Sequence, residues 1–316
     1  MRPLVVIITP KRGVVLLTAA ATVFLSIGEL NVTLCSMYAG IGILIASYGV
    51  EYCEVGYSVE RNQSGILEFS SANCPHLPDL LRGKHALYYK LDGYYQNHKE
   101  FRRSIDYDQL YGKVIDKESR LSSCRPYVKD RAGRIRHPCG TLARRVFTDR
   151  FTVFRDVGKT KEVELDESRE AICNKYGVHT LFKNPSKEEM EKYRSTVNFW
   201  MADEEYQTSL NMNKPGVGHG VENSHFINWV DVATTSTVKK LYGILDVKEL
   251  PLPFYVNVQV FRKIPDVVKK SVVIEKQQTL GRMGRTLGMI YVIVALFLAL
   301  FAIMAFAHLR VAPQVG

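Results

Sequence analysis

The sequence predicts a membrane protein in which two transmembrane helices flank a mainly β ectodomain, an antiparallel sandwich with helical insertions. Three observations carry that prediction. An uncharged apolar run near each end has about the length of a bilayer crossing. The region between them, residues 51–286, is polar and its clearest periodicity is two. That same region holds five of the six cysteines and an Asn-Gln-Ser acceptor at Asn62, features that suit an oxidising compartment.

Leu287 to Ala307 reads LGMIYVIVALFLALFAIMAFA, 21 residues without a charge. Roughly 20 residues cross the hydrocarbon of a bilayer, and a soluble core helix of this length would show a polar face. The N-terminal run, Gly13 to Val50, is broken by Glu29-Leu30-Asn31. Its first piece, Gly13–Ile27, follows Lys11 and Arg12 and has the length of a signal-peptide core. Its second piece, Val32–Val50, can cross alone. The first span is therefore placed at 32–50, with 1–31 as a cytosolic or interfacial segment that keeps Glu29 out of the hydrocarbon.

Arg2, Lys11 and Arg12 precede this span and Glu51 and Glu54 follow it, which puts the N-terminus in the cytosol and 51–286 on the exoplasmic side. The second span, 287–307, then returns the tail 308–316 to the cytosol. Arg282 and Arg285 oppose that orientation, and a crossing by Gly13–Ile27 would make three spans and reverse the outcome for the tail.

Within the ectodomain, FYVNVQV places Phe254, Val256, Val258 and Val260 on one strand face. FTVFRDV (151–157) and EVELD (162–166) read as strands joined by a turn at Gly158-Lys159-Thr160. Ser186 with Glu189 forms a capping-box pattern that opens a helix over KEEMEKYRSTVNFWM. A second helix is expected from about Ser224 to Leu245, since Phe226, Trp229, Val230 and Ala233, then Val238, Leu241 and Leu245, recur at helical spacing. GVGHG (216–220) reads as a flexible loop.

The chain carries 42 Lys and Arg against 32 Asp and Glu, a net charge of +10. It has no Gly-rich phosphate loop, no His-Glu-x-x-His and no Gly-x-Ser-x-Gly. No cofactor or metal site is expected. Cys124 and Cys139, 15 apart with His137 between them, fit a disulfide outside the cytosol better than a zinc site, which needs more convergent ligands. With an odd number of ectodomain cysteines, one of Cys53, Cys74, Cys124, Cys139 and Cys173 stays free or pairs elsewhere. Asn62 is the expected glycosylation site.

The stretch YYQNHKEFRRS (94–104) is aromatic and basic. Tyr94, Tyr95 and Phe101 with Lys99, Arg102 and Arg103 would suit single-stranded nucleic acid. An exoplasmic location removes that partner and favours an acidic protein surface. His98 beside Asn97 is more simply a hydrogen-bonded structural residue than an acid–base pair.

YYKLDGYYQNHKEFRRSIDYDQLYG (88–112) resembles the Tyr-Gln-Asn-His segment of the cell division control protein fifty family, the accessory (beta) subunits of type-IV P-type ATPase lipid flippases. CRPYVKDRAGRIRHPCGTLARRVFTD (124–149) resembles the family's Cys-x-Pro-Tyr…Pro-Cys-Gly block, and FKNPS (182–186) its Phe-x-Asn-Pro. HFINWVDVATTSTVKKLYGIL with LPLPFYVNVQV resembles the late helix-then-strand block, and GIGILIASYGVEY and LGRMGRTLGMIYVIVA resemble the exit from the first span and entry to the second. The blocks run in the family's order from about residue 38 to 310. The family's early pair of disulfides is reduced here to what Cys53 and Cys74 could form together.

The resemblance implies a non-catalytic subunit that forms a heterodimer with a type-IV P-type ATPase among membrane lipids. Such subunits are needed for the ATPase's folding, its export from the endoplasmic reticulum, and phospholipid flipping there, in Golgi or endosomes, or at the plasma membrane. Tyr95, Gln96, Asn97, His98, Lys99, Arg102 and Arg103 are the candidate partner contacts. In the bilayer, Ala39-Gly40 with Gly42, and Gly284 with Gly288, offer close-packing surfaces. The alternatives are a stand-alone two-pass receptor or adhesin, or the same subunit paired with an ATPase-like domain fused to another enzyme.

Overall fold

A computed structural model describes residues 31–45, 51–173, 181–265, 267–277 and 283–311. The expectations for Gly13–Ile27, Glu29, Arg282, the end of the first span and the tail beyond Val311 lie outside these residues. The chain forms two compact units, Glu51–Gln277 and a second made of Met1–Val50 with Gln278–Gly316.

Ten strands are described: β1 (Tyr52–Tyr57), β2 (Ser64–Phe69), β3 (Leu80–Asp92), β4 (Ile135–Arg136), β5 (Arg150–Phe154), β6 (Glu162–Val163), β7 (Val197–Asn198), β8 (Thr237–Pro251), β9 (Phe254–Gln259) and β10 (Lys269–Lys276). The helices are α1 (Asn31–Ile45), α2 (Lys99–Arg103), α3 (Tyr107–Leu110), α4 (Thr141–Arg144), α5 (Arg169–Ile172), α6 (Lys187–Lys192), α7 (Glu204–Ser209), α8 (Ser224–Val230) and α9 (Met283–Val311). One four-stranded sheet has the order β1-β10-β3-β8 and a second β2-β9-β5-β6, and every pair in both is antiparallel. Leu87, Leu91, Val272 and Ile274 of the first sheet share one hydrophobic cluster with Phe69, Phe151, Phe254, Val256 and Val258 of the second. The alternation in β9 is the one read from sequence, with Phe254, Val256 and Val258 all fully buried.

The expected helix over Ser224–Leu245 is corrected. It ends at Val230, and residues 237–251 form the longest strand, β8, paired along its length with β3. Two register shifts explain the misleading periodicity. Val238, Lys240 and Tyr242 face inward, the irregularity opposite Leu87/Tyr88 moves burial to Leu245 and Val247, and the one opposite Leu81/Gly83 moves it back to Leu250. A period of two that slips by one residue imitates a helical repeat.

The helix over 187–201 is also shorter than expected. The capping box of Ser186 and Glu189 is present, but α6 stops at Lys192. The β-branched pair Thr196-Val197 turns to pair with β4, where the Ile135 N–H donates to the Thr196 carbonyl at 2.9 Å. EVELD forms a strand only over Glu162-Val163, followed by a bridge from Asp166 to Ile244. The GVGHG loop is not loose. Val217 is fully buried, and the Asn184 side chain takes the Val221 N–H at 3.0 Å and donates to the His219 carbonyl at 2.8 Å. Asn184 belongs to the FKNPS block, so one short motif fixes the other.

In the second unit, α9 contains an apolar stretch, Thr286–Met304, long enough to cross a membrane, and α1 is a shorter apolar helix of 15 residues. The two cross at Gly40 and Gly288. A Cβ on Gly40 would lie 3.0 Å from the Gly288 carbonyl oxygen and 2.9 Å from Val292 Cγ2, and one on Gly288 would lie 2.8 Å from Leu44 Cγ. These glycines are spent on the chain's own helix pair, whereas a Cβ on Gly42 would meet nothing within 4 Å. Gly40→Leu is expected to lower the thermal stability of the purified full chain by about 1–3 kcal/mol through overpacking, and Gly42→Leu to leave it nearly unchanged. Equal melting temperatures for the two variants would refute the crossing.

Candidate partner-binding surface

The segment that leaves β3 is divided between anchors and exposed groups. Gln96 is fully buried, donates to the Trp229 carbonyl at 3.0 Å and accepts from the Ala233 N–H at 2.9 Å. Asn97 donates to the Thr234 carbonyl at 3.0 Å. Trp229 is itself buried, donates its indole N–H to the Leu142 carbonyl at 2.9 Å and meets Tyr94 edge-on at 5.6 Å. Gln96 and Asn97, expected among the partner contacts, therefore tie the end of β3 to the chain between α8 and β8. A primary amide offers both a donor and an acceptor, which is what two strands of irregular backbone need there.

The remaining candidates face outward. Tyr95 is 65% exposed, and His98, Lys99, Arg102 and Arg103 are exposed on or beside α2. Lys99 and Arg103 border a cleft of about 490 Å³ with His98, Phe101, Arg125 and Pro126. No ion pair involving Lys99, Arg102, Arg103 or Arg125 occurs among the described residues. The patch sets these four cations against one acidic neighbour on α2, the exposed Glu100, with Glu118 acting on Arg125 from outside it, so the face is net positive, with Tyr107 and Tyr111 exposed beyond it. Arg125 was not singled out from sequence. It arrives through tertiary contact, because the Ser104 hydroxyl donates to the Arg125 carbonyl at 3.3 Å and accepts from the Thr141 N–H at 2.8 Å.

The block after Cys124 forms the floor of this face. Disulfides join Cys124 to Cys139 and Cys53 to Cys74. Closing the 15-residue loop restrains the unfolded chain by roughly 3 kcal/mol in the chain-entropy account. Gln109 is fully buried, accepting from the Cys139 N–H at 2.8 Å and donating to the Arg136 carbonyl at 3.1 Å. Gly140 has φ +98°, and a Cβ there would lie 2.2 Å from the Ser104 carbonyl oxygen, so only glycine fits. Cys173 is free and buried, donating to the Ser224 carbonyl, and burial pushes its thiol up to about 12. That thiol is inert at neutral pH.

The most enzyme-like pair is Glu167 and His225, 2.7 Å apart. Burial raises the Glu167 carboxyl, but hydrogen bonds and charge from His225 and Lys214 outweigh it and hold the group below the usual carboxylate range. Asn211 and Lys214 each donate to it at 2.6 Å. Its acceptor positions are filled from within the fold, which makes it a structural knot. Among the described residues no three His, Cys, Asp or Glu side chains converge as metal ligands. Asn62 lies exposed in a tight turn with φ +60°, and its N–H donates to the Val260 carbonyl at 2.7 Å.

The profile of the LEM3 (ligand-effect modulator 3)/CDC50 family matches residues 31–314. The chain is similar to "CDC50-related protein CDC50.1" of Toxoplasma gondii, with 27% identity over 272 residues, 76% of this chain and 52% of that protein. It is 26% identical to mouse "Cell cycle control protein 50C" over 91% of this chain and 88% of the relative. Human "Cell cycle control protein 50B" is 28% identical over 65% of this chain and 62% of its own length. The chain thus spans about half the length of the Toxoplasma relative and most of the mouse one.

Two outcomes follow from the buried groups. Gln96→Ala leaves a carbonyl and an N–H without their partner and is expected to cost about 2 kcal/mol, whereas Lys99→Ala or Arg102→Ala should change thermal stability by less than about 0.5 kcal/mol. Comparable losses for all three would overturn the division into anchors and exposed groups. The second outcome concerns His137, which is 3% exposed and which burial lowers from 6.5 to about 4. The unfolded ring takes a proton below about 6.5 while the folded ring stays neutral, so this contribution is complete above 6.5 and is lost as pH falls toward 4. At pH 5 the loss is on the order of 2 kcal/mol. Thermal unfolding should show it as a slope between pH 6.5 and 5 that flattens in His137→Phe.

Proposed function

Since the chain belongs to the LEM3/CDC50 family, we propose that it is the non-catalytic accessory subunit of a phospholipid-translocating type-IV P-type ATPase. The family match over 31–314 carries this reading. The chain forms a heterodimer with the ATPase, and supports its folding, its export from the endoplasmic reticulum and its flipping of phospholipid. It spans the membrane twice, with Asn62 glycosylated on the exoplasmic side and both termini cytosolic. It works in the endoplasmic reticulum and onward in Golgi, endosomal or plasma membrane.

The physical basis is contact at two levels. Outside the bilayer, the unpaired cations of Lys99, Arg102, Arg103 and Arg125 meet acidic exoplasmic loops, which orients the encounter and raises its rate more than its final affinity. Tyr95 supplies exposed aromatic area beside them. In the bilayer, most of the Thr286–Met304 stretch is uncovered by the chain itself and offers an apolar helix face to the ATPase.

Co-expression should bring down a large P-type ATPase in mild detergent, and ATP-dependent lipid translocation should require both chains. Reversing Lys99, Arg102 and Arg103 together to Glu should slow association roughly tenfold at low salt, with the difference shrinking as salt is raised. A purified chain that moved lipid alone, or that never co-purified with such an ATPase, would overturn the proposal.

A further inference from the structure

Beside the His137-Pro138 turn lies a cavity of about 330 Å³, within the range of small-ligand sites, roughly 300–1,000 Å³. Its walls are soft and apolar: Met190 of α6, Phe199, Met201, Met212 and Val221. Thioethers with free rotation let such a wall adapt to the body of a guest. No Asp or Glu lines it. Its one cationic group is Lys187, exposed at the start of α6 and without an ion pair among the described residues, with the exposed ring of His219 nearby on the wall.

The inner wall holds an unusual group. His137 is 3% exposed, and neither ring nitrogen has a hydrogen-bond partner among the described residues. Buried polar side chains are as a rule hydrogen-bonded, because an unmade bond costs the full desolvation of the group. The other amides on the wall are engaged, Asn184 with His219 and Val221, and Gln207 with the Ala202 carbonyl at 2.6 Å. Burial keeps the imidazole neutral above about pH 4, so it presents one donor and one acceptor. A hydroxyl can serve either nitrogen, donating to the bare one or accepting from the N–H, and so fills one of the two missing bonds.

We propose that this cavity is a binding site for a small acidic amphiphile. The apolar body lies against Phe199 and the methionines, a hydroxyl at the inner end bonds to His137, and an anionic group at the mouth faces Lys187. The site is separate from the basic face around α2 and does not depend on an ATPase partner.

The test is calorimetric titration of the full chain in lipid nanodiscs with para-hydroxyphenylpropionate, which has a hydroxyl, a ring and a carboxylate in that order. Saturable single-site binding is expected, about tenfold weaker for phenylpropionate, which lacks the hydroxyl. Tyramine, with a cation in place of the carboxylate, should also bind more weakly. His137→Phe should abolish the difference between the two acids, and Met190→Trp, which fills the cavity from a half-buried position, should abolish binding. Absence of saturable heat, equal affinity of the unaltered chain for the two acids, or binding that survives Met190→Trp would each overturn the proposal. The comparison of the two acids needs no variant, so a misfolded mutant cannot decide the question.

Discussion

The pairing of β3 with β8 is the constraint on which the ectodomain depends. These are the two longest strands, and their ladder runs from Leu80↔Pro251 to Asp92↔Thr237. Its two register shifts are part of the design. Each reverses which side chains face the core, so one strand can supply Val238 and Tyr242 to the core at one end and Leu245 and Val247 further on. Once that ladder is set, the chain leaving β3 and the chain entering β8 emerge side by side. The Tyr-Gln-Asn-His segment is the clasp between them, with Gln96 bonded to Trp229 and Ala233 and Asn97 to Thr234.

From that clasp the basic face follows. α2 is only five residues long and has no buried residue of its own, so it cannot be stable by itself. It is held from outside, through Phe101 packed on Tyr94, Ser104 bridging Arg125 and Thr141, and Gly140 pressed against the Ser104 carbonyl. The buried amide of Gln96 and the Gly140 turn thus present three cations and a tyrosine without themselves touching solvent. The division of labour within eleven consecutive residues is plain: Gln96 and Ser104 turn inward to bond backbone groups, and the long cations turn outward, where hydration costs nothing.

Much of this was legible in the chain. The apolar helix at the C-terminal end, the β9 alternation, the Ser186 capping box and the turn at Gly158-Lys159-Thr160 all rest on local chemistry, and local chemistry survives folding. The Cys124–Cys139 pairing followed from compartment and spacing. What was misread depended on distant partners. β8 looked helical because its bulges lie opposite β3, some 150 residues earlier. Gln96 stood among the candidate contacts with its capacity to tie loops together, and which backbone it would bond was hidden because its acceptor and donor come from 229–233. Arg125 was invisible as part of the basic face because only tertiary bonds carry it there. GVGHG looked loose because its restraint, Asn184, lies in another motif. His137 was noted only as a neighbour of Cys139, and nothing in sequence marks a buried ring as unpartnered.

The strand order β1-β10-β3-β8 has a bearing on how the protein is made. β10 lies between β1 and β3 and hydrogen-bonds to both, from Tyr52↔Glu275 on one side to Lys276↔His85 on the other. It is also the last strand of the ectodomain to leave the ribosome, more than 170 residues after β3. Until it arrives, β1 has no neighbour in its sheet and β3 has an open edge, the kind of surface that invites wrong pairing. Synthesis of the ectodomain therefore ends with the insertion of a keystone. A chain truncated or stalled before Lys276 exposes two unfinished strand edges, so the sheet itself reports whether the ectodomain has been completed.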